Sequence, residues 1–333
     1  MNGHELLRKV KAMHPATIRL ILSGYADERE ITRALLDGSC KTYILKPWDN
    51  QNLIKTIRQL LEIRKVLREK KLLTIINSVD GMCSPPRIFH KLTDLIDKDA
   101  DMQQIAAVIE EDPVLTTKVL HMANSSFYGR KTGSITQAIV YLGLTAVKSI
   151  VLSTTLCELL PNRGWGIFDK EFLWRHASMT NQFVTRLYKQ ITGNNIPPVA
   201  ASVGLLSDLG RMALVNQLPE KYRQIASVLQ VNPDLLLDDI ECEIIGVSHQ
   251  EVSGYLLDWW GLPQPIIESA LFHHDPFHDM VSDRILVAVV HIASHFALKA
   301  LNPRFAHPLD ERIFTLFDLE PEACERWLTE PQA

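Results

Sequence analysis

The chain has 333 residues, 46% hydrophobic and 22% charged, with a formal net charge of -4. That is the composition of an ordinary soluble globular protein with room for two domains. The five cysteines, Cys40, Cys83, Cys157, Cys242 and Cys324, are widely spaced and never form a C-x-x-C pair, which excludes a disulfide scaffold and points to reduced thiols in a cytosol. The charge is uneven, because residues 1–71 carry 15 Lys and Arg against 8 Asp and Glu, leaving 20 against 31 for the rest. A basic first part and an acidic body attract each other. No charged-then-apolar leader opens the chain, so no secretory signal is expected and the expected location is cytoplasmic.

Residues 1–49 alternate helix-like and strand-like segments. MNGHELLRKVKAM has helical apolar spacing, TIRLILSG reads as a short buried strand, ADEREITRALLDG as a helix closed by Gly38, and KTYILKP as a second strand. Such alternation is the mark of a parallel, doubly wound sheet. Residues 50–78 contain no Gly or Pro, and Leu53, Ile57, Leu60, Leu61, Val66 and Leu67 form an apolar stripe opposite basic residues. One long connecting helix is expected, packed on its own domain or paired with a second copy as a homodimer.

Beyond residue 78 every signal is helical. Ser84-Pro85, Asp112-Pro113 and Asp169 each stand as an N-cap ahead of an apolar-periodic run, and Ser248 with Glu251 spells a capping box. Gly261 with Pro263 is expected to end the helix that this box begins. Ile135–Leu160 is the most apolar region, but Gly143, Lys148 and several Ser and Thr interrupt it, so it reads as buried helices and not as a membrane span. The same stretch imitates a helix-turn-helix, yet its second half offers only Lys148 to DNA, so nucleic-acid binding is not expected. Trp174, Trp259 and Trp260 read as core or as a domain contact.

In the first fifty residues, NGHELL, ILSG followed by YAD, and YILKPW resemble the C-terminal half of a response-regulator receiver domain. Receivers bind a phosphoryl group with a Ser or Thr at the end of the fourth strand, switch an aromatic on the fifth strand, and pair a Lys-Pro lysine with the phosphoryl charge. The resemblance places these roles on Ser23, Tyr43, Lys46 and Pro47. A phosphoaspartate dianion needs such a hydroxyl and ammonium within reach. The phosphoacceptor Asp and the acidic metal-binding pair would belong to strands ahead of Met1, so the resemblance implies a half-receiver stabilised by packing on the rest of the chain or on a second copy.

Further on, DPVLTTKVLHMANSSFYG, ITQAIVYLGLTAVKSIVLS, FLWRHASMT, GLLSDLGRMAL, IIGVSHQEVSGYLLDWWGLP and LFHHDP follow one another in the order and spacing of the HDOD domain, the HD-related output domain of bacterial signalling proteins. HD-type hydrolases hold metal with a His on one helix, a His-Asp pair on a second and an Asp on a later one, with extra histidines for further metals. Carried across, these positions are His176, Ser207-Asp208 and Ser294, with His249, His273 and His274 as the additional histidines. Serine thus stands at two of the four core positions, and a neutral hydroxyl is a poor replacement for imidazole or carboxylate on a transition metal. After His273-His274 the chain reads DPFHD where cyclic-di-GMP hydrolases carry a G-Y-P signature. Taken singly, His176, His249 and His273 also read as buried, hydrogen-bonded histidines.

The fold expected is mostly α: the C-terminal α/β half of a receiver in 1–49, a connecting helix in 50–78, and an all-α, HD-superfamily-like HDOD domain in 79–333. The resemblance implies a two-component response regulator with a non-catalytic HDOD output, acting through protein or small-ligand contacts. Its implied partners are a sensor histidine kinase, through an intact receiver, and a downstream signalling protein. No cofactor and no membrane are expected. The alternative is a divergent metal-dependent phosphohydrolase, akin to cyclic nucleotide phosphodiesterases, with Fe, Mn or Zn on His176, Asp208, His249, His273 and His274.

Overall fold

A computed structural model describes residues 3–14, 17–24, 40, 42–67, 72, 75, 87–124, 132–160, 168–232, 234–260, 262–320, 323–324 and 326. The N-terminal part opens with α1 (Gly3–Met13) and two short strands, β1 (Leu20–Ser23) and β2 (Thr42–Leu45). The strands pair in parallel, with Leu20 opposite Thr42 and Ser23 opposite Leu45. A parallel pair needs a crossover; the helix expected over 26–38 lies outside the described residues, as do the Ser84-Pro85 cap and Gly261. Ser23 closes β1, Tyr43 lies in β2, and exposed Lys46 follows β2 on a cis Lys46–Pro47 bond. Cys40 is fully buried in a small cluster with Leu7, Ile21 and Val199, which joins this segment to the helical body.

Helix α2 (Asn50–Val66) leads into that body. Its buried face is not the whole stripe expected from the sequence: Leu60, Ile63 and Leu67 are buried, whereas Ile57 is 38% and Leu61 52% exposed. The reason is geometric. The helix lies on the body along one narrow face, so residues a third of a turn away remain in solvent. Burying each of those three aliphatic side chains contributes roughly 1.5–3 kcal/mol.

No strand occurs after residue 45 among the described residues. The body runs through α3 (Arg87–Asp97), α4 (Met102–Glu110), α5 (Pro113–Ala123), α6 (Ile135–Leu142), α7 (Leu144–Leu159), α8 (Lys170–Thr192), α9 (Val203–Leu206), α10 (Leu209–Gln217), α11 (Pro219–Val231), α12 (Leu237–Ile244), α13 (His249–Trp259), α14 (Gln264–Phe272), α15 (Arg284–Leu301) and α16 (Arg312–Phe317). Local chemistry sets these limits. Asp112 caps α5, Asp169 caps α8, and Ser248 with Glu251 forms the reciprocal capping box of α13. Gly143 takes φ 79°, and there α6 and α7 meet at a bend of 111°. Lys148, the only candidate DNA contact, is buried at 5% exposure near the Phe89 ring.

Among the described residues, two segments, Pro198–Gln217 and Arg284–Leu301, are long and apolar enough to cross a membrane, and 83% and 67% of their most apolar windows are buried inside the protein. Helix α15 lies along α8, while α9 and α10 fill the space between α8 and the α13–α14 pair. The tryptophans divide: Trp260 is buried, Trp174 packs partly buried against the core, and Trp259 is 63% exposed and stacked on Tyr255, so it is not core. At the crossing of α9 and α8, a Cβ on Gly204 would lie 2.6 Å from the Asn181 backbone. Asn181 fastens the same crossing, accepting from Gly204 N–H at 3.1 Å and donating to the Ala201 carbonyl at 3.2 Å. Replacing Gly204 with Ala is expected to cost about 1–3 kcal/mol in urea unfolding, because neither backbone can retreat from a well-packed crossing.

Candidate functional site

Asp208 sits where α9 gives way to α10, 2% exposed, and four side chains, one each from α8, α10, α13 and the end of α14, face it. His176, two turns into α8, places Nδ1 3.3 Å from Asp208 Oδ2. Arg211, one turn into α10, places Nη2 2.7 Å from Oδ1. His249, the first residue of α13, and His273, just past α14, bring Nε2 to 3.3 and 3.9 Å from that same oxygen. Helix α10 approaches α13 at backbone distance: Gly210 N–H donates to Ser253 Oγ at 2.7 Å, and a Cβ at Gly210 would meet the His249 carbonyl at 2.2 Å.

Outer partners hold the imidazoles. His249 Nδ1 and its backbone N–H both donate to Glu241 Oε2, at 2.6 and 2.7 Å, and the buried Tyr222 hydroxyl donates to the other oxygen of Glu241. His273 Nδ1 donates to the Ala270 carbonyl at 3.0 Å. His176 Nε2 lies 3.3 Å from the hydroxyls of both Thr180 and Ser294. Ser207 points away from the cluster and donates to the Gly204 carbonyl at 3.3 Å. Ser207 is thus absorbed in its own turn, while Ser294 meets the cluster at the outer nitrogen of His176.

The electrostatics follow from burial. Burial lowers His176 to about 4 and His273 to about 3, although Asp208 pulls both upward. Burial would raise the Asp208 carboxyl, but Arg211, and after it His176, His273 and His249, hold it below the usual carboxylate range. Tyr222 is pushed well above its ordinary value by burial and by the Glu241 carboxylate.

Of the residues expected to carry metal, His176, Asp208, His249 and His273 converge in one buried cluster, and the half-buried His274 ring lies at its edge, 4.1 Å from His273 and 5.3 Å from His249 between centroids. The ring nitrogens of His249, His273 and His274 are mutually close enough to share an ion. As the side chains stand, however, a divalent ion does not fit beside Asp208. The guanidinium of Arg211 already holds the Asp208 oxygen and donates to His249 Nε2 at 3.3 Å, and two cations would share one carboxylate. A second grouping, His274, His291 and His307, is less suited to an ion, since His291 Nδ1 donates to the His273 carbonyl at 2.6 Å while its Nε2 accepts Asp310 N–H at 3.2 Å.

Arg211, Glu241, Tyr222, His291 and His307 were not among the sequence candidates. Arg211 carried a legible signal, three residues after Asp208 on one helix. Glu241 and Tyr222 carried none, because only the fold-back of α11 and α12 brings them to His249. A cavity of about 240 Å³ lined by Arg211, His274, His307, Arg304, Leu236 and Phe305, among others, leads to the cluster.

Two outcomes follow. His176 and His291 are both held neutral at about 4, below the ordinary 6.5, chiefly by burial. Below pH ~6.5 the unfolded chain therefore binds protons that the fold refuses, so this contribution is complete above pH ~6.5 and is lost as pH falls toward ~4. The thermal midpoint should drop between pH 7 and pH 4.5, with a shallower slope in His291→Gln. Tyr222→Phe should cost roughly 1.5–3 kcal/mol in chemical unfolding, since it strips a donor from a buried carboxylate.

Comparison with known proteins accords with this architecture. An HDOD domain family model matches residues 82–276 and leaves the first 81 outside the match. An uncharacterized protein of Treponema pallidum (strain Nichols) is 26% identical over 201 residues, 59% of this chain and 38% of that protein. The hydrogenase transcriptional regulatory protein HoxA of Cupriavidus necator is 37% identical over 62 residues, 19% of this chain and 13% of HoxA. The chain therefore spans much less than two thirds of either relative. An HDOD domain protein of unknown function from Geobacter sulfurreducens, solved at 1.90 Å, superposes with a TM-score of 0.56 at 25% identity, covering 80% of this chain and 88% of that one. With its family match spanning more than half of the chain and its all-α body ordered as described, this protein belongs to the HDOD family.

Proposed function

We propose that the chain is the output part of a bacterial response regulator, in which a non-catalytic HDOD body reads the state of a receiver through the connecting helix. In this reading residues 1–49 are the C-terminal part of a receiver, 50–78 the connector and 79–333 the output domain. Ser23, Tyr43, Lys46 and Pro47 are what remains of the receiver's switch, and an intact receiver would be served by a sensor histidine kinase in the cytoplasm.

The observation that carries this reading is the anchoring of α2. Gln59 Nε2 donates to the Val281 carbonyl at 3.3 Å, while Leu60, Ile63 and Leu67 are buried on the body. Val281 lies in the turn between α14, which ends beside His273, and α15, which carries His291 and Ser294. Glu268, on α14, accepts the backbone N–H of both Ser282 and Asp283 at 2.7 Å, so that turn is fixed to the helix leading into the cluster. A shift of α2 has a short packed route to the Asp208 pocket. Two further contacts join the N-terminal part to the body: Arg8 pairs with Asp99 at 3.4 Å, and Cys40 packs near Val199. The similarity to HoxA, named as a transcriptional regulator, supports a place in signalling. Exposed Ile54, Ile57 and Leu61 on the outer face of α2 would be the surface for pairing with a second copy.

The enzyme reading draws on one observation, the proximity of the His249, His273 and His274 ring nitrogens. Elemental analysis of protein purified without chelator separates the two: stoichiometric Fe, Mn or Zn together with phosphoester turnover would establish the hydrolase. The relay has its own test. In a polypeptide carrying a complete receiver ahead of residue 1, beryllofluoride should change amide exchange in 50–67 and 279–283; identical protection with and without it would refute the relay.

A further inference from the structure

Asp208 Oδ1, His249 Nε2 and His273 Nε2 form a corner made only of acceptors. The carboxylate of Glu241 can only accept, so His249 carries its proton on Nδ1, 2.6 Å away, and turns a lone pair inward at Nε2. His273 donates from Nδ1 to the Ala270 carbonyl and likewise turns Nε2 inward. No residue of the three is more than 2% exposed, so bulk solvent does not reach them. Both inward nitrogens face Asp208 Oδ1, at 3.3 and 3.9 Å, and the repulsion between their lone pairs and the carboxylate is resolved by a cation.

The cation present is Arg211. Its Nη2 is 2.7 Å from Asp208 Oδ1 and donates to His249 Nε2 at 3.3 Å. Its placement is built into the backbone: one helical turn separates it from Asp208, and intervening Gly210 lets α10 touch α13, bringing the guanidinium to the imidazole. The outer partners that orient a metal-ligating imidazole, a carboxylate on His249 and a backbone carbonyl on His273, remain in place behind a cation that has no need of them.

We propose that Arg211 is a tethered cation standing in for a divalent ion, and that Asp208, His249 and His273 remain competent to bind one transition-metal ion when the guanidinium is taken away. Imidazole and carboxylate donors suit zinc, cobalt or nickel. His274, with a ring nitrogen within 4.8 Å of those of His249 and His273, is placed to supply a fourth ligand, and the cavity reaching Arg211 and His274 gives an ion its way in. This holds whether or not α2 relays a signal.

The test uses the full chain with zinc and cobalt as probes. After loading and exhaustive dialysis, wild type should retain well below one equivalent of zinc, whereas Arg211→Ala should retain about one, as a three- or four-ligand site would. Cobalt in Arg211→Ala should give visible absorption of a tetrahedral His and carboxylate site, absent from wild type and from the Arg211→Ala, His273→Gln double variant. Without metal, Arg211→Ala should melt below wild type, because Asp208 is left uncompensated; zinc should raise its midpoint while leaving that of wild type unmoved. Arg211→Met, which keeps most of the volume, serves as a second variant. One equivalent of zinc in wild type, folded variants that bind none, or variants that stay unfolded in excess zinc would each overturn the proposal, since a competent site would draw the fold back by mass action.

Discussion

The interior of this protein is organised around the buried charge of Asp208. Asp208 is surrounded by the side chains of α8, α10, α13 and the end of α14, and its ion pair with Arg211 makes that burial tolerable. A carboxylate taken out of water without a partner would cost several kcal/mol. The backbone contact at Gly210, the tautomers of His249 and His273, and the approach of His176 are all arrangements around that pair.

A second layer makes the first one rigid. Glu241 accepts from the ring and backbone of His249 and from Tyr222, which fixes α11, α12 and α13 relative to one another. Each group in this network is satisfied by a neighbour that has few alternatives, and such networks specify one arrangement of a core more sharply than apolar packing does. Ser207 and Ser294, both buried, border this layer. Ser294 lies within hydrogen-bond reach of His176, while Ser207 donates to the Gly204 carbonyl, so both hydroxyls are partnered inside the body.

The same helices that carry the cluster also carry the attachment of the N-terminal part. α2 is bonded to the turn between α14 and α15, and that turn is held by Glu268 at 2.7 Å. The pocket and the connector thus share α14 and α15. The parallel pair β1–β2 extends from this anchored region, and Cys40 with Leu7, Ile21 and Val199, and Arg8 with Asp99, are among the contacts joining the N-terminal part to the body.

What the sequence determined by itself was everything whose cause is local. The caps at Asp112, Asp169 and Ser248, the break at Gly143, the two strands around Ser23 and Tyr43, and the helical body follow from interactions within a few residues, and each leaves a short signature. The order of the HDOD segments also marked His176, Asp208, His249, His273 and His274. Tertiary structure alone decided what those residues do together. That Arg211 fills the corner between Asp208 and His249, that Glu241 and Tyr222 stand behind His249, and that Ile57 and Leu61 face solvent while Ile63 is buried depend on which helices cross and at what distance. Those crossings are set by packing among residues tens to over a hundred positions apart, and no periodicity or spacing along the chain encodes a distance of 2.7 Å between a guanidinium and a carboxylate.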